Sequence, residues 1–165
     1  MLVAGQVKAE MLHRGDLDDQ TMRARLIEVI NNGQRVMNYA GHGSVGLWRG
    51  NILTEADVSS LSNAERLPMF VIMTCLNGYF QDVAMDSPGE SLLKSDRGGA
   101  VAVWASSGMT MPDAQAVMNQ EAYRQMFGEQ RLTIGEAILR AKGAVSNRDV
   151  RLTWILLGDP TTRLR

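Results

Sequence analysis

Residues 68–74 read Pro-Met-Phe-Val-Ile-Met-Thr, an almost unbroken apolar run that stops at Cys75. A run this short and this evenly apolar is the pattern of a strand covered on both faces, as in a parallel sheet clad by helices. Two more strands fit the same scheme. Residues 35–40 lead into Gly41-His42-Gly43, and residues 100–105 follow the Gly98-Gly99 break. Helical patterns lie between and around them. Met22, Leu26, Val29 and Ile30 recur at i, i+4, i+7 and i+8 within a helix predicted over 18–32, which Gly33 ends. Thr54 and Asp57 form a capping box for a helix to about Leu61, and Thr133 with Glu136 forms another for a helix to about Lys142. Pro88 opens a helix through Leu92 and Leu93, and Asp113 is the expected N-cap of a helix that runs to Phe127 before Gly128. Residues 6–12 and 161–164 are expected as strands, while 151–157 fit either helix or strand. The alternation predicts an α/β domain with a largely parallel sheet.

Composition narrows the function classes. The chain has 165 residues, enough for one domain, and 17 Lys+Arg against 18 Asp+Glu give a net charge of −1. No basic excess marks a nucleic-acid or anionic-membrane binder. No apolar run approaches the roughly 18 residues of a membrane helix, and residues 1–8 lack the pattern of a secretory signal. One cysteine and two histidines exclude an internal disulfide and a Cys-rich zinc site, so neither a metal nor another cofactor is expected.

The topology brings two reactive side chains together. Parallel strands point the same way, so the loops after 35–40 and 68–74 share one edge of the sheet, the edge where open α/β sheets place ligands. His42 lies in the first loop and Cys75 begins the second. A free cysteine is more often an inert core residue, but Cys75 sits at the end of its run, before the turn-forming Leu76-Asn77-Gly78. His42 lies between two glycines, which points to close backbone approach or positive φ. A paired imidazole would take the thiol proton and return it to a leaving amine. Gly41-x-Gly43-x-x-Gly46 also matches a dinucleotide fingerprint, though Gly50 interrupts the helix that must follow. Ser44 is no nucleophile elbow, since His42 occupies the position two before it. Trp48 and Trp154 are expected in packing, and Arg23, Arg25 and Glu28 on a solvated helix face. Trp104, at the end of its strand, is a candidate pocket wall.

Asn38-Tyr39-Ala40-Gly41-His42-Gly43-Ser44 and Met73-Thr74-Cys75-Leu76-Asn77-Gly78-Tyr79-Phe80 resemble the two catalytic motifs of the gingipain-type cysteine peptidases. The resemblance extends through Gly89-Glu90-Ser91-Leu92-Leu93, residues 98–108 and Leu157-Gly158-Asp159-Pro160. It implies a three-layer α/β sandwich of caspase-like topology, acting on peptide or protein substrates. His42 would be the general base and acid, Cys75 the nucleophile, and the Gly43 and Cys75 N–H groups the oxyanion hole, each worth about 3 kcal/mol. Ser106, Ser107 and Met111, with Trp104, would wall the substrate pocket. Family members carry more chain before the His motif, including the first strand and an acid that orients the histidine. The chain is therefore expected to be the C-terminal part of one peptidase domain within a larger precursor, at the cell envelope or outside the cell. Three other functions compete. One is an inactive scaffold domain of a larger secreted protein that keeps the Cys/His pair as packing; another is a sortase-like transpeptidase using the same acyl-enzyme; the third is a nucleotide-binding domain using residues 41–46.

Overall fold

The computed structural model describes residues 8–130 and 132–164. In chain order the elements are α1 (Asp19–Asn31), β1 (Val36–Ala40), β2 (Gly43–Ser44), β3 (Leu47–Trp48), α2 (Glu55–Ser59), β4 (Met69–Met73), α3 (Pro88–Lys94), β5 (Ala102–Ser106), α4 (Pro112–Met126), α5 (Ile134–Gly143), α6 (Arg148–Thr153) and β6 (Trp154–Gly158). The main sheet has the order β1-β4-β5-β6. β1, β4 and β5 are parallel, and β6 closes one edge antiparallel to β5.

The apolar run of β4 explains the layering. Side chains alternate across a strand, so Phe70 and Ile72 face one side and Met69, Val71 and Met73 the other. The first side is covered by Met22, Leu26 and Ile30 of α1, Val58 of α2 and Leu92 of α3. The second is covered by Met118 and Ala122 of α4, Ile138 and Ala141 of α5 and Val150 of α6. All five β4 residues are buried, each large side chain contributing roughly 1.5–3 kcal/mol. The result is the expected three-layer sandwich.

Helix starts follow the predicted chemistry. Thr133 and Glu136 close a capping box on α5, as do Thr54 and Asp57 on α2. Asp113 is not a cap: Pro112 takes the first helical position of α4, where a missing N–H costs nothing, and Asp113 lies in the first turn.

Several expectations change. Of the strand expected at 6–12, residues 6 and 7 lie outside the described residues and 8–12 are irregular. This segment runs along α1, where Glu10 pairs with Arg25 and Leu12 packs on the core. Residues 151–157 divide into the end of α6 and most of β6. No strand forms at 161–164; instead the carbonyls of Pro160 and Thr162 accept the N–H groups of Gly135 and Ile134, satisfying the start of α5. Arg23 is not merely solvated, for it bonds the buried Asp57 at 2.6 Å.

Candidate active site

His42 and Cys75 occupy equivalent places on neighbouring strands. Ala40 is paired with Met73 in the parallel ladder, and His42 and Cys75 each stand two positions beyond their member of that pair. The ladder continues one step further, with the Gly41 N–H donating to the Met73 carbonyl at 3.2 Å. The His42 side chain is exposed and Cys75 is half-buried.

The backbone at His42 is fixed although its ring has no hydrogen bond among the described residues. Its carbonyl accepts from the Tyr39 hydroxyl at 2.8 Å and from the Arg49 N–H at 2.9 Å. Tyr39 in turn stacks on Trp48, with ring centroids 3.8 Å apart. Burial raises the pKa of the Tyr39 phenol, keeping it a neutral donor. No carboxylate bonds the His42 ring among the described residues.

The two glycines around His42 are there for space, not for left-handed dihedrals. Neither has a positive φ. A Cβ on Gly41 would lie 2.6 Å from the Tyr39 hydroxyl oxygen, and one on Gly43 would lie 2.9 Å from both Asn77 Oδ1 and Thr74 Oγ1. After Gly43 the chain forms the β2–β3 hairpin rather than a helix. Without a helix N-terminus to hold a pyrophosphate, the dinucleotide reading of residues 41–46 loses its physical basis. Gly43 pairs with Trp48, whose N–H donates instead to Leu53, while His42 bonds Arg49. Gly43 is therefore in a non-hydrogen-bonded pair, and its N–H points away from β3.

The turn after β4 is tightly built. Leu76 has a φ of 63°, which costs a non-glycine residue roughly 1–3 kcal/mol. The bonds around it hold that strain: Leu76 N–H to the Gly108 carbonyl at 3.2 Å, Gly78 N–H to Ser106 at 2.9 Å, and Gly89 N–H to Asn77 at 3.0 Å. The Cys75 thiol donates to the Thr110 carbonyl at 3.9 Å.

Asn77 and Thr74 escaped the sequence reading. Asn-Gly suggested a turn, and within it Asn77 is fully buried, its Nδ2 donating to the Ser44 carbonyl at 2.6 Å. It is a strut between the Cys75 turn and the loop that carries His42. Thr74 Oγ1 and Asn77 Oδ1 are buried without a hydrogen-bond partner, beside Gly43. The only sequence signal was a polar residue ending an apolar run.

The expected pocket residues separate into two groups. Trp104 and Ser106 are corrected, since both are 0% exposed and present no surface to a substrate. β5 extends to Ser106, so Trp104 lies mid-strand and meets Trp154 edge-on in the core beneath α4 and α5. Ser106 Oγ bonds Gly108 and Thr153, so it braces the loop from below. Ser107 is half-buried and donates to the Thr153 carbonyl at 2.9 Å. Met111 stands 63% exposed beside Met109 at 73%.

A sequence model of Peptidase family C25 matches residues 5–165. The chain belongs to Peptidase family C25. Gingipain R2 and Gingipain R1 of Porphyromonas gingivalis are each 25% identical to it over 155 residues, or 85% of the chain. The chain spans 21% of the length of the first and 15% of the second. Among solved structures, gingipain R, described as an Arg-specific cysteine proteinase, superposes with a TM-score of 0.80 at 24% identity. That match covers 87% of this chain and 36% of the other. A complex of the RgpB pro- and mature domains gives 0.80 at 23% identity, covering 87% and 37%. The structural likeness is one of fold, and it agrees with the caspase-like sandwich. C25 membership supports a cysteine-peptidase type of function.

Proposed function

We propose that this C25 domain is a cysteine endopeptidase in which His42 and Cys75 form the catalytic dyad. The observation that carries the reading is the register: His42 and Cys75 each follow by two residues a paired end of adjacent parallel strands. His42 takes the Cys75 proton, and the thiolate attacks the carbonyl carbon of the scissile peptide. The Gly43 and Cys75 N–H groups hold the developing oxyanion. The C–N bond breaks, His42 gives its proton to the leaving amine, and a thioester joins the acyl part to Cys75. Water, deprotonated by His42, then attacks the thioester; the C–S bond breaks and the free acid and thiol result. An amine in place of water would give transpeptidation by the same intermediate.

On the acyl side, the loop 106–111 supports substrate contact through Met111 and Ser107, with Met109 added by its exposure. The domain works within a longer protein, as its share of the gingipain sequences suggests, and extracellular or cell-envelope placement follows from the family resemblance.

Labelling with a peptidyl electrophile tests the dyad. Wild type should be labelled at Cys75, Cys75→Ala should not be labelled at all, and His42→Ala should label at least ~100-fold more slowly. An accessible thiol that reacts no faster than a free cysteine, with or without His42, would make the domain an inactive scaffold.

A further inference from the structure

Beside the hairpin that follows His42 lies an open cleft of about 550 Å³, within the range of ligand sites. One wall is the hairpin turn with Val45 and Leu47; the other is the loop after the Cys75 turn, with Met85. Glu55 and Asp86 also line it, and a smaller concavity sharing Glu55, Met85 and Asp86 adds Asp82. Among the described residues, no lysine or arginine lines either space.

The sheet order says which part of a substrate would reach it. β4 lies between β1 and β5, so Cys75 is flanked by the β1 loop on one side and the β5 loop on the other. His42 must hand its proton to the leaving amine, so the leaving segment departs on the imidazole side, along the hairpin. We propose that the cleft is a subsite for the leaving side of the substrate, selective for a residue with an aliphatic stem and a cationic head. This proposal rests on the peptidase reading above.

The chemistry of the lining carries the choice of occupant. The stem of a lysine or arginine covers apolar surface such as Leu47 and Met85 while its head stays in water. Glu55 is exposed and its carboxylate has no partner among the described residues, so it is available to that head. Asp86 already holds the Lys94 ammonium at 2.7 Å, and Asp82 is engaged by the N–H groups of Ala84 and Met85. Glu55 is thus the residue that confers the preference.

The test measures binding apart from catalysis. The chain bearing Cys75→Ala is titrated with fluorescent tetrapeptides that have a free amino terminus and are identical except for lysine or norleucine at one of the first three positions. At low salt the lysine peptide should bind about threefold tighter at one position, and Glu55→Gln or high salt should erase the difference. Equal affinities, a preference that survives Glu55→Gln, or no binding of either peptide would overturn the subsite. Electrophile labelling of wild type is scored alongside. A labelled thiol without lysine preference fails the subsite alone, and lysine preference without labelling fails the peptidase reading alone.

Discussion

The loop after β5 reaches the Cys75 turn through main-chain bonds, whereas the hairpin after β1 reaches it through a side chain. On the β5 side, Leu76 and Gly78 donate directly to Gly108 and Ser106, and Ser106 and Ser107 tie the loop to Thr153. On the β1 side, Asn77 Nδ2 bonds the Ser44 carbonyl while Gly43 sits hard against Asn77 and Thr74. Main-chain bonds belong to almost any sequence that adopts the turn. A side-chain strut belongs to one residue. The position of the cysteine is therefore robust to substitution, and that of the histidine loop is vulnerable.

The largest stability effect should come from the support behind the hairpin. Asp57, 4% exposed, accepts from the Thr54 N–H and hydroxyl and from Arg23, while Thr54 bridges to Leu47 of β3. Asp57→Ala removes the second half of the α2 capping box and leaves Thr54 without its partner. Urea unfolding should show a loss of about 3 kcal/mol. A loss under ~1 kcal/mol would mean that the hairpin stands without α2.

Asn77→Ala addresses the strut itself. Loss of the bond to the Ser44 carbonyl, together with the space left by the fully buried amide, should cost about 2 kcal/mol. It should also slow Cys75 labelling about tenfold, with the pH profile of labelling altered, because the imidazole loop loses its tether. Ser106→Ala is the matched change on the other flank. It should cost about 1 kcal/mol and leave labelling within about twofold, since the main-chain bonds remain. Equal effects on labelling from the two variants would erase the difference between the flanks.

The same contrast explains what the sequence could disclose. β4 and the α5 capping box were legible because a covered strand and a helix start impose local patterns over several residues. That His42 and Cys75 follow neighbouring strands was legible because parallel topology puts both strand ends on one edge. The hairpin was not: two-residue strands are too short for an alternating pattern, and Gly41 and Gly43 are explained by contacts with Tyr39, Thr74 and Asn77. Trp104 was misplaced because β5 runs to Ser106, which turns an expected strand end into a mid-strand position. Asn77 was hidden because Asn-Gly signals a turn equally well in water or in the core.

Thr74→Val sharpens the comparison from the opposite direction. Thr74 Oγ1 is buried without a partner next to Gly43. Replacing a hydroxyl that makes no bond with a methyl of similar shape should leave the melting temperature unchanged or raise it slightly. If the hairpin depends on Asn77 alone, labelling should also be unchanged. A clear fall in labelling at full stability would show that the hydroxyl acts on the Gly43 side of the site, and the strut would then be two residues rather than one.

The smallest effect concerns acid. Bonds from the Thr133 N–H and hydroxyl hold the Glu136 carboxyl below the ordinary glutamate pKa, and the Thr161 N–H and hydroxyl do the same for Asp159. Both flank the start of α5, in the layer beneath β5. A carboxyl lowered in the folded state binds fewer protons there than in the unfolded chain. Its stabilisation is complete above the ordinary carboxylate range and fades as pH falls through the lowered value. Glu136→Gln should therefore melt below wild type at neutral pH, and the gap should close as pH falls below the ordinary carboxylate range. The main-chain bonds of the β5 flank do not titrate. Cys75 should then keep its burial and its bond to Thr110 over the range in which α5 loosens, seen as a thiol-labelling rate whose acid dependence is the same in wild type and Glu136→Gln. A variant whose labelling profile moves with its melting temperature would show that the β5 flank draws its rigidity from the helix layer rather than from the turn.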